Sequence, residues 1–233
     1  MAVLFKQNLR LTYVKMKKVK KILIIGGSFQ ANVVYELCNH LNLTVEGFLD
    51  IKSNQRSLKF DLPVFNTFEQ IDAIENYNYV SAIGHNFTRK CSLHKFRCRL
   101  SDDHFPRLIH PSAVISPSSK ISPSSTIMAN SYLDQNSSLG FGTLVNAGAI
   151  ISHDVVLSDF SSVGPGAKIA GNVSIGRNTH IGIGATIIEE RKIEKNVIIG
   201  AGATVVKDVE RNSLVYGTPA KFIRSVSPLD KLI

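Results

Sequence analysis

From Ile109 to Val205 every sixth residue is aliphatic. The series runs Ile109, Ile115, Ile121, Ile127, Leu133, Leu139, Val145, Ile151, Leu157, Val163, Ile169, Ile175, Ile181, Ile187, Ile193, Ile199, Val205. A helix repeats every ~3.6 residues and a strand about every two, so neither produces this period. A solenoid whose unit is a short strand plus a corner does. Four residues after each aliphatic the chain is mostly small or β-branched, from Ala113 and Ser119 to Thr179 and Ala185. That slot lies two before the next aliphatic, so both point to the interior. Three residues after each aliphatic, twelve of the fourteen residues from Asn130 to Asp208 are Asn, Gly or Asp, with Phe160 and Glu190 the exceptions. These residue types tolerate the left-handed backbone of a tight corner. Three hexads close a triangular coil, which predicts a left-handed parallel β-helix of about five coils. Pro111, Pro117 and Pro123 share one corner slot, so the Ser/Pro-rich stretch 111–125 belongs to the first coils.

Upstream the pattern changes. Lys20–Ile25 is an apolar strand running into Gly26, Gly27 and Ser28; a helix is predicted to about Leu41, then a strand from Leu43 to Leu49 ending at Asp50. Strand, Gly turn, helix, strand, acid is the order of a mononucleotide-binding half-sheet, although the full G-x-G-x-x-G is absent. A tight turn in any α/β sheet gives the same signal. Further elements are predicted at Pro63–Phe65 (strand), Phe68–Ile74 (helix), Tyr79–Ile83 (strand, ending at Gly84) and Phe87–Leu100 (helix). The expected architecture is an α/β Rossmann-like N-terminal domain followed by an all-β left-handed parallel β-helix. The expected divisions are a basic leader (1–18), the Rossmann-like domain (19–104), the β-helix (105–215) and a C-terminal tail (216–233).

The formal net charge of +9 changes this picture little. Residues 1–21 hold seven basic residues and no acid, leaving +2 for the rest. A nucleic-acid surface would be spread over a folded face, so no nucleic-acid partner is expected. Met16 is an alternative start, and the leader has the form of neither a signal nor a transit peptide. No apolar run approaches the ~18 residues of a membrane span. Three cysteines, Cys38, Cys91 and Cys98, suggest no disulfide framework and a cytoplasmic setting. Cys91, His94 and Cys98 share one helical face; a fourth ligand is not evident, and buried cysteines acting as small hydrophobes are the simpler account, so no metal is expected.

Candidate chemistry lies in the outward corner slot, two residues after each aliphatic. One edge of the prism carries Asp159, Arg177 and Lys195; a second carries Gln135, His153, Gly171 and Glu189; a third carries Ala147, Pro165, Ile183 and Ala201. Two nearly uncharged edges beside a charged one suggest contact with sister subunits in a trimer. His153 is the one histidine in these slots and suits general-base work, with Gly171 in the next coil leaving room for a ligand. Asp154 either orients the imidazole or simply satisfies the corner.

These residues occur within longer motifs: GFLD (47–50), AIGHN (82–86), LIHPSAVISPS (108–118), NAGAIISHD (146–154), VGPGAKIAGNVSIG (163–176), IIGAGATVVKDV (198–209) and YGTPAKFIR (216–224). On them the chain resembles the bacterial sugar acyltransferases of the sialic-acid O-acetyltransferase and UDP-4-amino-sugar (bacillosamine-type) N-acetyltransferase kind, over Lys20–Arg224. The resemblance implies a homotrimer that uses acetyl-CoA as cosubstrate, with His153 as base and Asp154 its partner. It implies a nucleotide-linked amino-sugar acceptor at Gly26, Gly27, Ser28, Gln30, Asp50, Gly84, Asn86 and Asn146. It implies acetyl-CoA contacts at Gly171, Ile183 and Ala201. Two departures stand out: Phe29 and Gln30 replace the family's usual Gly and His, and Ser162 replaces a second histidine that faces the thioester. Ser162 and His180 lie eighteen apart, hence in one column, so His180 is a candidate for that region. The expected reaction is N-acetylation of a 4-amino group. The alternatives are O-acetylation of a sialic-acid-like sugar and a non-catalytic β-helix scaffold. A zinc hydratase would need three converging histidines, whereas the solenoid from Pro111 on offers His153 and His180.

Overall fold

The computed structural model describes residues 21–50 and 61–230. The basic leader, Lys20 and Met16 lie outside the described residues. In the N-terminal domain, β1 (Lys21–Ile25), β2 (Val45–Leu49), β3 (Val64–Phe65) and β4 (Tyr77–Ser81) form a parallel sheet in the order β3-β2-β1-β4. Helix α1 (Phe29–His40) joins β1 to β2, and α2 (Asn86–Arg97) follows β4. Ile22, Ile24 and Phe48 pack with α1 on one face of the sheet, while Leu23, Leu49 and Tyr79 pack with α2 on the other. Burial on both faces is why β1 reads as a continuous apolar run. The helix expected over Phe68–Ile74 is instead two short 3₁₀ turns, Phe68–Gln70 and Ile74–Asn76. The Gln70 carboxamide accepts from the N–H groups of Asn66 and Thr67, and Ala73 takes φ 50°, which ends helical propagation.

From Leu108 the chain winds through two-residue strands at steps of six, ending at Thr204–Val205. They stack as three parallel sheets of a left-handed β-helix. The first face runs through Leu108–Ile109, Thr126–Ile127, Leu144–Val145, Ser162–Val163, His180–Ile181 and Ile198–Ile199 to Ser213–Tyr216. Lys221–Ser225 closes it as an antiparallel edge. The second face has six strands, from Val114–Ile115 to Thr204–Val205, and the third has five, from Lys120–Ile121 to Lys192–Ile193. Inside, Ile127, Leu133, Val145, Ile151, Val163 and their successors are fully buried with Ala149, Val155, Ala167, Val173 and Ala185. Ile109, Ile115 and Ile121 are only partly buried, since the first coil has no coil beneath it. Hydroxyls in the inward slot are bonded within the stack: Ser131 Oγ to Asn146 O (3.0 Å) and Thr179 Oγ1 to Glu194 O (2.7 Å). That removes the cost of burying them.

The slot three residues after each aliphatic has positive φ at all but one of its fourteen members from Asn130 to Asp208, including the two exceptions in type, Phe160 (57°) and Glu190 (60°). Asp208 is the departure. The regular strands have ended there, and its carboxylate instead accepts from Lys192 N–H (3.0 Å).

Candidate functional site

Ile151 and Val155 point inward, so the corner between them turns His153 out. This edge separates the second and third faces. His153 Nδ1 donates to Asp154 Oδ2 at 2.8 Å, and Asn136, one coil below, donates from Nδ2 to Asp154 Oδ1 at 3.2 Å. A carboxylate only accepts, so Nδ1 carries a proton, and in the neutral imidazole Nε2 holds the lone pair. The bond from His153, then that from Asn136, holds the Asp154 carboxyl below its ordinary range. Asp154 also has φ 57°, so its two readings are not rivals: the corner and the imidazole use the same residue. Gly171 does not leave a vacancy for a ligand. The imidazole itself lies there, and a Cβ on Gly171 would stand 2.5 Å from its Cε1 and Nε2.

The nucleotide-site candidates gather elsewhere. Strand order β3-β2-β1-β4 places the reversal of direction between β1 and β4, where α/β sheets open a crevice at the carboxyl ends of their strands. Gly26, Gly27 and Ser28 follow β1, Asp50 follows β2, and Gly84 follows β4. Gly26 takes φ 110°, and a Cβ on Gly27 would collide with the Asp50 carboxylate. Gly84 borders open space. Ser28 begins α1 without capping it through its side chain, Gln30 is half-buried, and Phe29 is 74% exposed.

Asn86 does not join that crevice. It is buried, with Nδ2 donating to Thr179 O (3.0 Å) and Oδ1 accepting from Arg89 (2.8 Å). Asn146 sits at the corner between the first and second faces and donates to Val163 O (3.0 Å). Ile183 (57% exposed) and Ala201 line that same edge. Ser162 is buried on the first face, its Oγ 2.8 Å from His180 Nδ1, as the shared column anticipated. Desolvation, then the electrostatic influence of Arg89 and of His85, push His180 down to about 4, so it is neutral at pH 7.

Sequence reasoning missed Arg89 and His85. Arg89 stands on the buried stripe of α2 with Asn86, Leu93 and Phe96, where a hydrophobe belongs; that mismatch was the legible signal. Burial draws its pKa down to about 9, still a cation at neutral pH. His85 caps α2, its Nε2 2.9 Å from Asp230 O of the C-terminal segment. Cys91 and Cys98, taken above as buried hydrophobes, are exposed, with Cys98 Sγ 3.9 Å from His94 Nε2; Cys38 is the buried one. Among the described residues no group of three or more His, Cys, Asp or Glu is placed to hold a metal. Among them also, no helix is long and apolar enough to cross a membrane.

The N-terminal domain packs on the first face. Leu108 joins the α1 cluster, Phe141 and Phe160 join the α2 cluster, and Asn86 reaches Thr179. In a triangular prism the His153 edge is the one opposite that face. Within one chain, the crevice and His153 are therefore on opposite sides of the β-helix.

A β-helix with a carboxylate-held imidazole on an outer corner, preceded by a nucleotide-type sheet, defines the class as a hexapeptide-repeat transferase. Residues 21–96 match the PglD N-terminal domain family, and residues 172–207 match the bacterial transferase hexapeptide (six repeats) family. A histidine-to-alanine variant of GDP-perosamine N-acetyltransferase from Caulobacter crescentus, solved with CoA and GDP-perosamine, is 30% identical with a TM-score of 0.80. The match covers 88% of this chain and 97% of that one. The acetyltransferase domain of PglB from Neisseria gonorrhoeae, in complex with acetyl coenzyme A, is 31% identical with a TM-score of 0.80, covering 88% and 100%. WeeI from Acinetobacter baumannii, at 24% identity, shares the fold (TM-score 0.75; 87% and 99% covered). No curated protein matches significantly. The chain belongs to the bacterial sugar acyltransferase family of hexapeptide-repeat enzymes.

Proposed function

We propose that this protein is a homotrimeric N-acetyltransferase that moves the acetyl group of acetyl-CoA to the 4-amino group of a nucleotide-linked amino-sugar. The observation that carries the reading is the His153–Asp154 pair, fixed at 2.8 Å on an outer corner with Nδ1 turned to the carboxylate and Nε2 turned away from it. The relatives bound to CoA and GDP-perosamine support the two substrates. The free amine attacks the thioester carbonyl, forming the N–C bond, while His153 Nε2 takes the amine proton. Asp154 stabilises the imidazolium. Collapse of the tetrahedral intermediate breaks the C–S bond, and the proton passes to the departing sulfur. The N–H of Gly171 meets no backbone carbonyl among the described residues, which suits it to the oxyanion.

The placement of His153 opposite the domain-bearing face supports a site completed by a second subunit. The apolar half of the second face, with Val114, Tyr132 and Ile150 exposed, is the surface that would meet it. In this arrangement the nucleotide lies at Gly26, Gly27, Ser28, Gln30, Asp50 and Gly84 of one chain. Asn146 lines the acceptor site, and Gly171, Ile183 and Ala201 line the CoA groove. Ser162 and His180 are paired with each other on the covered face, away from the His153 edge of the same chain.

The test is incubation with acetyl-CoA and a panel of UDP-, GDP- and dTDP-linked 4-amino sugars, read by thiol release and product mass. One amide product is expected. Acetylation on a hydroxyl, or no transfer across the panel, would sink the reading.

A further inference from the structure

Arg89 is 2% exposed, yet its partners are six oxygens and, among the described residues, no carboxylate. A buried guanidinium is strongly unfavourable unless every donor is matched, and packed hydrophobes commonly join two elements as well or better. A cation at this place therefore calls for a reason beyond adhesion. Its bonds divide evenly. On the N-terminal side it donates to Ile83 O (2.9 Å), Gly84 O (2.9 Å) and Asn86 Oδ1 (2.8 Å). On the β-helix it donates to Gly142 O (2.8 Å), Phe160 O (3.0 Å) and Ser161 O (3.2 Å). Gly142 O and Phe160 O accept no backbone hydrogen bond among the described residues, so the fork fills acceptors that the coils leave open. Ile83 and Gly84 are the rim of the crevice at the end of β4. Ser161 precedes Ser162, and Asn86 is tied to Thr179, next to His180.

We propose that Arg89 is a positioning residue for the transfer reaction: it locks the crevice rim to the β-helix corners, so that an acceptor sugar held by the N-terminal domain is presented at a fixed height and angle. The inference rests on the proposed function. A planar fork with five N–H donors can address two elements at once, whereas a lysine offers three donors from a single point. A misplacement of about 1 Å can cost ~10²-fold in rate, so a loosened rim is read directly in turnover.

The experiment compares Arg89→Lys and Asn86→Ala with wild type. It measures kcat and KM for both substrates, thermal unfolding, and hydrogen exchange over residues 82–88. For Arg89→Lys the expected result is a ~10–100-fold loss in kcat/KM for the nucleotide sugar. The KM for acetyl-CoA should stay within about two-fold, with faster exchange at the rim and unchanged coils. Asn86→Ala, which removes one acceptor and the tie to Thr179, should move the same parameters less, and it decides the matter if Arg89→Lys does not fold. A lower melting temperature with acceptor kinetics unchanged below it would overturn the role, leaving Arg89 as cement. A wild type that acetylates nothing in the panel overturns the substrate reading instead; an active wild type matched by both variants overturns Arg89 alone.

Discussion

On the first face of the prism, the residues just before the inward aliphatics are Leu108, Thr126, Leu144, Ser162, His180, Ile198 and Leu214, all buried except the half-buried His180. On the second face the same slot holds Val114, Tyr132 and Ile150, which are 60%, 39% and 40% exposed, and then Lys168, Thr186 and Thr204. The coil treats these positions alike, since in both they point away from the core. What differs is the cover. The N-terminal domain lies over the first face, and Val226 packs on Ile198 and Leu214 at its far end, so its polar members must find partners there, as Ser162 and His180 do. The second face carries exposed apolar side chains over its first three strands and polar ones over its last three. The two sides differ accordingly: the N-terminal domain docks on the first face, and the apolar half of the second is where the proposed subunit contact would fall.

The sharpest way to break this comparison is at the edge of the open face. His153→Ala is expected to lower turnover ~10²–10⁴-fold with the oligomer intact, and activity within a few-fold of wild type would remove the histidine from the mechanism. Asp154→Asn keeps a residue suited to φ 57° and should leave the melting temperature alone while turnover falls. Next in size is a charge placed under the domain. Leu144→Lys buries an unpaired ammonium and should cost roughly 3 kcal/mol or more in a denaturant titration, whereas Val156→Lys in the same slot of the third face should stay within about 0.5 kcal/mol. Equal costs would mean that cover is not what separates the faces.

Ile150→Lys attacks the open face. Light scattering should then fall from about three times the 25.6 kDa chain toward one, with the fold kept. Mixed trimers of His153→Ala and Ile183→Arg should regain part of the activity that each lacks alone, and a persistent failure would refute a shared site. The smallest effect is in acid. His180 is held near 4, below the ~6.5 of an exposed histidine, so the unfolded chain binds its proton first. Stability from this group is complete above about pH 6.5 and lost as pH falls toward 4; His110, lowered by desolvation and then by His40, acts in the same direction. Urea midpoints at pH 7.5 and 5 should converge in His180→Gln relative to wild type. An unchanged gap would show that His180 titrates normally.

The helical half was readable because each residue's neighbours in a stack are its equivalents one coil away. A requirement for an inward aliphatic or a left-handed corner therefore recurs at a fixed spacing, and seventeen aliphatics in register admit few other folds. Even Phe160 and Glu190, the wrong types, follow the register, since the coil imposes the backbone on them. The parallel sheet was readable more coarsely: β1, α1 and β2 came from apolar runs and the Gly turn, but the helix expected over Phe68–Ile74 failed where Ala73 takes φ 50° and Gln70 caps its own turn.

The sequence by itself thus determined the stack, its corners, the outward direction of His153 and the column that unites Ser162 with His180. Those relations repeat at a constant interval, and hydrophobic burial enforces the interval. Only the tertiary structure decided that the imidazole rests on Gly171, that Asn86 serves the joint and not the crevice, and that Arg89 gathers oxygens from two domains. It alone placed His153 opposite the face the N-terminal domain covers. These depend on contacts such as Asn86 to Thr179, ninety-three residues apart, and Arg89 to Gly142, fifty-three apart. Such pairs follow no period, because they are fixed by how two separately folded surfaces meet, where shape and unmatched hydrogen bonds choose the partner.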